Sequence, residues 1–392
     1  MKGRVFRRGS TWSYVVDVGA DSQARRKQKM TGGFATRRDA ERALRQVLHS
    51  LDHQRYVERS TLTVADFIRA EWLPAMRANL RDATWIGYRN ELERNLLPQI
   101  GDLPLQQLNA VHLNRLYGRL LTSGRKDGRG GLSTRSVRYL HTIIRKALAD
   151  GLRWGRVERN AADLADPPRQ AGQPQVRTWS PEQLRQFLRH VEGDRLYAAW
   201  LMAASTGMRR GEVLGLRWID VDLAAARLAV RHTWVLVDGR PAESEPKTKR
   251  SRRTIDLDQR TVAELRRWRE QQLAERREWG PAWQDLGLVF TREDGSAIHP
   301  DGWTGTFERH TRQAGLPHIR LHDLRHTHAT LMLAAGVNAK VTSERLGHHS
   351  TAFTLDVYAH VIPGMQQQAA EQISTLVFGP SDDNDGSRSA VS

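Results

Sequence analysis

The sequence predicts a mainly α, multidomain protein with small β-sheets. Three observations carry that prediction. The 392 residues suffice for two to four domains at roughly 100–200 residues each. Apolar residues recur at helical spacing over most of the chain, and alternation with period two is confined to residues 11–34 and 227–257. A stretch with three prolines, ADPPRQAGQPQ at 165–175, admits no helix and divides the chain. The expected plan is a small α+β unit (1–58), a helical unit (61–165), a linker (166–175), a mixed α+β unit (176–375) and a low-complexity, disordered tail (379–392).

In the first unit, Thr11–Val18 alternates aromatic or β-branched residues in strand fashion, and Arg25–Phe34 gives a second strand ending in Gly32–Gly33. Thr36, with Asp39 three positions on, starts a helix whose apolar stripe is Ala40, Ala43, Leu44, Val47, Leu48 and Leu51. In the second unit Thr63 caps a helix with Asp66 at the third position. A second helix covers Ala83–Leu97 and ends before Pro98, and a third covers Gln106–Leu121. Ser133 caps a fourth, with Val137, Leu140, Ile144 and Leu148 on one face. The last unit opens on Ser180-Pro181-Glu182-Gln183, a capping serine with proline at the first helical position and glutamine at the third. Helices follow to about Arg217. Residues 227–257 then turn extended around an Asp238–Gly239 hairpin, and helices resume from about Gln259.

The formal net charge is +17 and the pI near 10.8. The excess is concentrated in the first 170 residues, including Arg25, Arg26, Lys27 and Lys29, as expected of a surface that binds phosphates. No apolar run approaches the ~20 residues of a spanning helix; the longest, Leu196–Ala204, reads as a short core helix. The basic and then polar start, MKGRVFRRGS, shows no secretory apolar region. With no cysteine there is no disulfide, thiolate zinc site or thiol nucleophile. No GxxxxGK[ST] loop points to ATP.

Four segments carry candidate chemistry: TGMRRGE at 206–212, PKTKRSRR at 246–253, LHDLRHTHAT at 321–330 and LGHHSTAFTLDVYAH at 346–360. Arginines offer planar forks to the non-bridging oxygens of a phosphodiester. A lysine can protonate a leaving alkoxide, histidines can bind phosphate or shuttle protons, and a tyrosine can act as covalent nucleophile. His322 and Arg325, three apart, share a helical face and can meet one small anion. Fixed cations of this kind stabilise a pentacoordinate phosphorus without a metal.

In the order Arg, Lys, His-x-x-Arg, His, Tyr these segments resemble the tyrosine recombinase (phage integrase) family. The resemblance implies catalytic Arg209 (from TGMRRGE), Lys247, His322 and Arg325 (from HDLR), His348 (from LGH) and the nucleophile Tyr358 (from DVYAH). Lys249 is the alternative to Lys247, because the strand after the lysine ends Ile255–Asp256–Leu257 where the family often has Ile-Pro-Leu. Arg210, Glu212 and His349 read as structural. Residues 61–165 are similar to the family's SAM-like core-binding domain, 1–58 resemble its arm-type DNA-binding domain, and 176–375 resemble its catalytic domain. The implied activity is site-specific DNA recombination through a 3′-phosphotyrosine, integrating or excising a phage or other mobile element, with neither metal nor cofactor. The implied partners are double-stranded attachment sites, a homotetramer on DNA, and a DNA-bending host factor and excisionase, in the bacterial cytosol beside the nucleoid and away from membrane.

Three other classes compete. A type IB topoisomerase shares the nucleophilic chemistry but relaxes DNA without joining two sites. A non-catalytic DNA-binding regulator needs no complete set of six groups. A metal nuclease could be assembled from His322, His326, His328, His348 and His349, but the set lacks the carboxylates such sites usually add.

Overall fold

The N-terminal strand pairs along its whole length with the next one, from Gly3↔Val16 to Arg8↔Thr11. This makes the first sheet three-stranded, in the order β1 (Gly3–Arg8), β2 (Thr11–Ala20), β3 (Arg26–Phe34), all antiparallel. The computed structural model describes residues 3–20, 26–52, 57–125, 127–170, 172, 176–244, 252–347, 350–351 and 365–379. Local alternation predicts only two strands and leaves out β1, whose three cations in six residues mask its two apolar residues, Val5 and Phe6. Helix α1 (Arg37–Asp52) packs Leu44 and Leu51 against Tyr14 and Val16. Its start is the expected one: the Asp39 N–H donates to Thr36 Oγ1 (3.2 Å), and the same hydroxyl donates to the Asp39 carboxylate (2.7 Å).

The described residues of 57–170 are mainly helical. Helix α2 (64–77) runs from a Thr63 cap through Val64–Asp66, a π-helical segment Phe67–Trp72 and Leu73–Arg77. Helix α3 (82–100) repeats the device: Asp82–Glu91, a π segment Leu92–Leu96, then Leu97–Ile100. The expected stop before Pro98 is therefore wrong. The Leu97 N–H bonds back to the Leu92 carbonyl, five residues away, and this wider turn makes room for the proline ring where a regular α-helix would clash. Helix α4 (Ala110–Ser123) begins four residues later than the expected Gln106, because Asn109 caps it by accepting from the His112 N–H (3.2 Å). Helix α5 (Thr134–Arg153) is capped by Ser133 as anticipated. Phe67, Trp72, Leu92, Leu113, Leu116, Leu140 and Ile143 form the core, and the buried Asp150 accepts from the Trp72 indole (2.9 Å).

The chain divides into two compact units at Gln173/Pro174. The second unit opens with α6 (Pro181–His190), whose Ser180 and Gln183 form a reciprocal capping box. Helix α7 (Tyr197–Thr206) is buried almost all round and α8 (Arg210–Leu214) follows. Trp200 of α7 stacks on Trp303 with ring centroids 4.6 Å apart. Strands β4 (Val221–Asp222), β5 (Arg227–Val230) and β8 (Arg253–Asp256) make one sheet. Strands β6 (Thr233–Val237) and β7 (Arg240–Ser244) make a separate hairpin. Asp238 (φ 54°) and Gly239 (φ 77°) supply its left-handed turn. Helices α9 (Gln259–Trp279), α10 (Pro300–Gln313) and the start of α11 (Asp323–Ala334) complete the core; Ala329 and Leu333 of α11 form a smaller cluster with Leu346 of α12 (Ala339–Leu346), and α13 (Met365–Phe378) follows. The architecture is mainly helical with small antiparallel sheets, as the sequence implies. No helix among the described residues is long and apolar enough to cross a membrane.

Candidate active site

The site begins where α7 stops. Gly207 takes a left-handed backbone (φ 63°) and ends the helix. A side chain is excluded there twice over: a Cβ would lie 2.6 Å from a Leu346 methyl and 2.9 Å from the His328 ring. The tight turn places Arg209 at the N-cap of α8. An arginine cannot cap by accepting, so the helix start is satisfied the other way round. The Arg209 backbone N–H and Nη1 donate to the two Glu212 oxygens at 2.9 and 2.7 Å.

Helix α11 supplies the second pair. His322 stands at its N-cap, and Arg325, one turn on, points into the protein at 3% exposure. Helix α12 ends in the second left-handed glycine of the site, Gly347 (φ 66°). Its last carbonyls are taken by three arginines in succession. Arg253 Nε donates to the Arg345 carbonyl (2.6 Å), Arg325 Nη2 to the Leu346 carbonyl (2.6 Å) and Arg209 Nη2 to the Gly347 carbonyl (3.2 Å). Arg325 Nη1 also donates to the Gly207 carbonyl (2.8 Å), closing the two glycine turns on each other. Cations here meet the negative end of the helix dipole and its unpaired carbonyls at once.

The electrostatics follow from this crowding. Burial alone would raise the Glu212 carboxyl, but the hydrogen bonds from Arg253 and the charges of Arg253 and Arg209 outweigh it and hold it at about 2. Partial burial, then the charges of His326, Arg325 and Arg209, keep the His322 imidazole well below its ordinary 6.5, so it is neutral and able to accept a proton at pH 7. Burial and the Arg345 charge push His328 down to about 4. Its Nδ1 donates to the Ala204 carbonyl (3.0 Å) and its Nε2 accepts from Arg345 (3.3 Å), so both ring nitrogens are engaged within the protein. Among the described residues no cluster of three His, Cys, Asp or Glu could hold a metal ion.

The structure thus brings Arg209, His322 and Arg325 to one place, at the turn that leads into His348. Lys247, Lys249, His348, His349 and Tyr358 lie outside the described residues. Glu212 is structural as read, paired with cations on two sides. Arg210 bonds the Asp301 carboxylate (2.9 Å) and Thr304 Oγ1 (2.8 Å) on α10. Arg253 is not marked as a site residue by the sequence. It lies in a run of basic residues that nothing local tells apart, and its partner Glu212 is 41 residues away.

Two cations fixed beside a neutral imidazole can grip an anionic phosphodiester and take up a proton, and comparison with known proteins agrees. The phage integrase family profile matches residues 177–364, the integrase N-terminal SAM-like profile 63–121 and an arm DNA-binding domain profile 5–51. The chain belongs to the phage integrase family and is a tyrosine recombinase, a site-specific DNA recombinase. It is 26% identical over 381 residues to the protein "Tyrosine recombinase XerC-like" of Caldanaerobacter subterraneus subsp. tengcongensis, covering 92% of this chain and 95% of that protein. To an integrase of Streptomyces ambofaciens it is 26% identical over 94% of both chains. The fold is also that of the Tn1549 transposon integrase solved in complex with a circular intermediate DNA, with a TM-score of 0.64, 22% identity, and coverage of 80% of this chain and 99% of that one.

Proposed function

We propose that this recombinase integrates and excises a phage or other mobile element, with Tyr358 as nucleophile. The reading rests above all on the Arg209 and Arg325 guanidiniums, anchored on consecutive carbonyls of one helix end with neutral His322 beside them. In the proposed reaction the two arginines clamp the non-bridging oxygens of the scissile phosphate and His348 adds a hydrogen bond. The Tyr358 hydroxyl, with an ordinary pKa near ~10, attacks phosphorus as its proton passes to His322. The bond to the 5′-oxygen breaks, Lys247 protonates that oxygen, and a 3′-phosphotyrosine remains. Attack by the partner strand's 5′-hydroxyl reverses each step and releases the tyrosine. The phosphoester is conserved throughout, so no nucleotide hydrolysis is required.

The domain roles complete the proposal. Residues 1–58 read arm-type sequences, 61–165 hold the core site, 166–175 link them to the catalytic domain at 176–375, and 379–392 form a tail. The working form is a homotetramer on paired attachment sites in the bacterial cytosol, assisted by a DNA-bending host factor and an excisionase. Association is supported by the end of α13, where Ile373, Leu376, Val377 and Phe378 are all exposed. The chemistry is tested with a duplex nicked beside the scissile phosphate, so that the leaving fragment diffuses away, in the presence of EDTA. Wild type should accumulate a covalent protein–DNA adduct. Tyr358→Phe should bind the same duplex and form none, and an adduct in that variant would remove Tyr358 from the mechanism.

A further inference from the structure

We infer that Arg253 is a positioning residue of the catalytic centre, keeping Arg209 electrostatically available to the scissile phosphate and fixing it against the end of α12. The inference rests on the reading of Arg209 as a phosphate clamp, and its test separates the two. Arg253 opens β8, and two residues on Ile255 is buried opposite Leu228 of β5, so the start of this strand is held by the core. Its side chain is 6% exposed, and its three nitrogens face two different elements. Nη1 and Nη2 donate to the Glu212 oxygens at 3.2 and 2.9 Å, and Nε donates to the Arg345 carbonyl at 2.6 Å. Only a planar fork makes those contacts together; a lysine ammonium is a single point charge.

The consequence is a matter of charge count. Glu212 is almost wholly buried and ionised, and it touches Arg209 as closely as it touches Arg253. Were Arg209 its only cation, the pair would be neutral, and the guanidinium would be held to the carboxylate at the expense of an incoming phosphate. With Arg253 on its other side the three-residue cluster carries a net positive charge, and Arg209, whose side chain is 38% exposed, is the member that faces outward. The bond to Arg345 adds geometry. It ties the cluster to the same helix end whose next two carbonyls hold Arg325 and Arg209. In sequence Arg253 stands six residues after Lys247, the proposed general acid.

A helix-capping role alone would stabilise the fold and leave the chemistry indifferent to phosphate charge. Single-turnover cleavage by the full chain distinguishes the two on nicked duplexes carrying either an ordinary scissile phosphodiester or a methylphosphonate, which has no negative oxygen for a guanidinium to meet. Arg253→Gln should slow the phosphodiester roughly 10–100-fold with DNA affinity within about twofold of wild type, and the deficit should largely vanish on the methylphosphonate. Adding Glu212→Gln to that variant removes the uncompensated carboxylate and should recover much of the phosphodiester rate. Arg253→Lys keeps the charge but not the fork; it should fall between, and it carries the same substrate comparison if the glutamine variant does not fold. An equal deficit on both substrates, or no deficit, would overturn the positioning role. Arg209→Lys is the control: full activity there would instead remove the phosphate-clamp reading on which the inference stands.

Discussion

Positive charge does opposite work in the N-terminal unit and in the catalytic centre. In the first, Arg4, Arg7 and Arg8 of β1 and Arg37 and Arg38 of α1 lie exposed around a small cluster of Tyr14, Val16, Leu44 and Leu51. In the second, Arg325 and Arg253 are buried and bonded to backbone carbonyls, and Arg209 is planted at one end on Glu212 and Gly347. Exposed cations at the surface act over about a Debye length and are screened by salt, so they supply affinity. Buried cations cannot exchange partners with the solvent, so they supply geometry. One residue type therefore serves two functions, and burial decides which.

The largest expected effect sharpens the geometric side. Lys247 and Lys249 are two residues apart, and only one should reach the leaving oxygen. General-acid catalysis contributes roughly 10²–10⁴-fold, so Lys247→Ala should lose about that much on an ordinary substrate. It should regain the rate when sulfur replaces the scissile 5′-bridging oxygen, because a thiolate leaves without a proton. Lys249→Ala should be mildly impaired on both. The reverse pattern would move the role to Lys249, and sulfur rescue of neither would place the acid elsewhere.

Deleting residues 1–60 tests the other side. The slope of log affinity against log salt falls by about 0.9 for each phosphate that the protein no longer neutralises, so binding to arm-bearing DNA should become markedly less salt-dependent than that of the full chain. Core-site cleavage should survive, while recombination between complete attachment sites collapses. An unchanged salt slope would mean that the exposed arginines of this unit do not touch DNA.

The smallest effect comes from the buried histidines. His322 and His328, both pushed down to about 4, stay neutral in the fold above that pH, whereas in the unfolded chain they protonate below 6.5; burial lowers His326 in the same direction. The unfolded state therefore binds more protons between pH 6.5 and 4, and stability must fall as the pH drops through that window. Glu212, at about 2, stays ionised in the fold but takes up a proton near 4.5 in the unfolded chain, so it adds to the loss toward the acid end of that window. A loss of about 2 kcal/mol from His328 alone at pH 5 would lower the melting temperature by roughly 4–8 °C relative to pH 7. A melting temperature that rises or stays flat over that interval would contradict the burial of these rings.

What was legible in the sequence divides along the same line. Local signals were readable: the Ser180 box, the Thr36, Thr63 and Ser133 caps, and the Asp238–Gly239 turn are each decided within four residues. Arg209, His322 and Arg325 were readable because a motif spacing marks them, and the fold then brings them together. Strand β1 was not, since its pairing with β2 and not its own alternation makes it a strand. Nor was the run of α3 through Pro98, which depends on a π turn without a composition signal of its own. Arg253 was hidden for the strongest reason. Its role lies in bonds to Glu212 and Arg345, 41 and 92 residues away, and neighbouring Arg252 looks identical in sequence.

The central claim is that the centre assembled by Arg209, His322 and Arg325 serves covalent attack by Tyr358. Peptide mapping of the trapped protein–DNA adduct tests it most directly. After nuclease trimming and proteolysis, mass spectrometry should find the residual nucleotide, joined through its 3′-phosphate, on the peptide containing Tyr358. A nucleotide on any other residue, or one joined through a 5′-phosphate, would contradict the account.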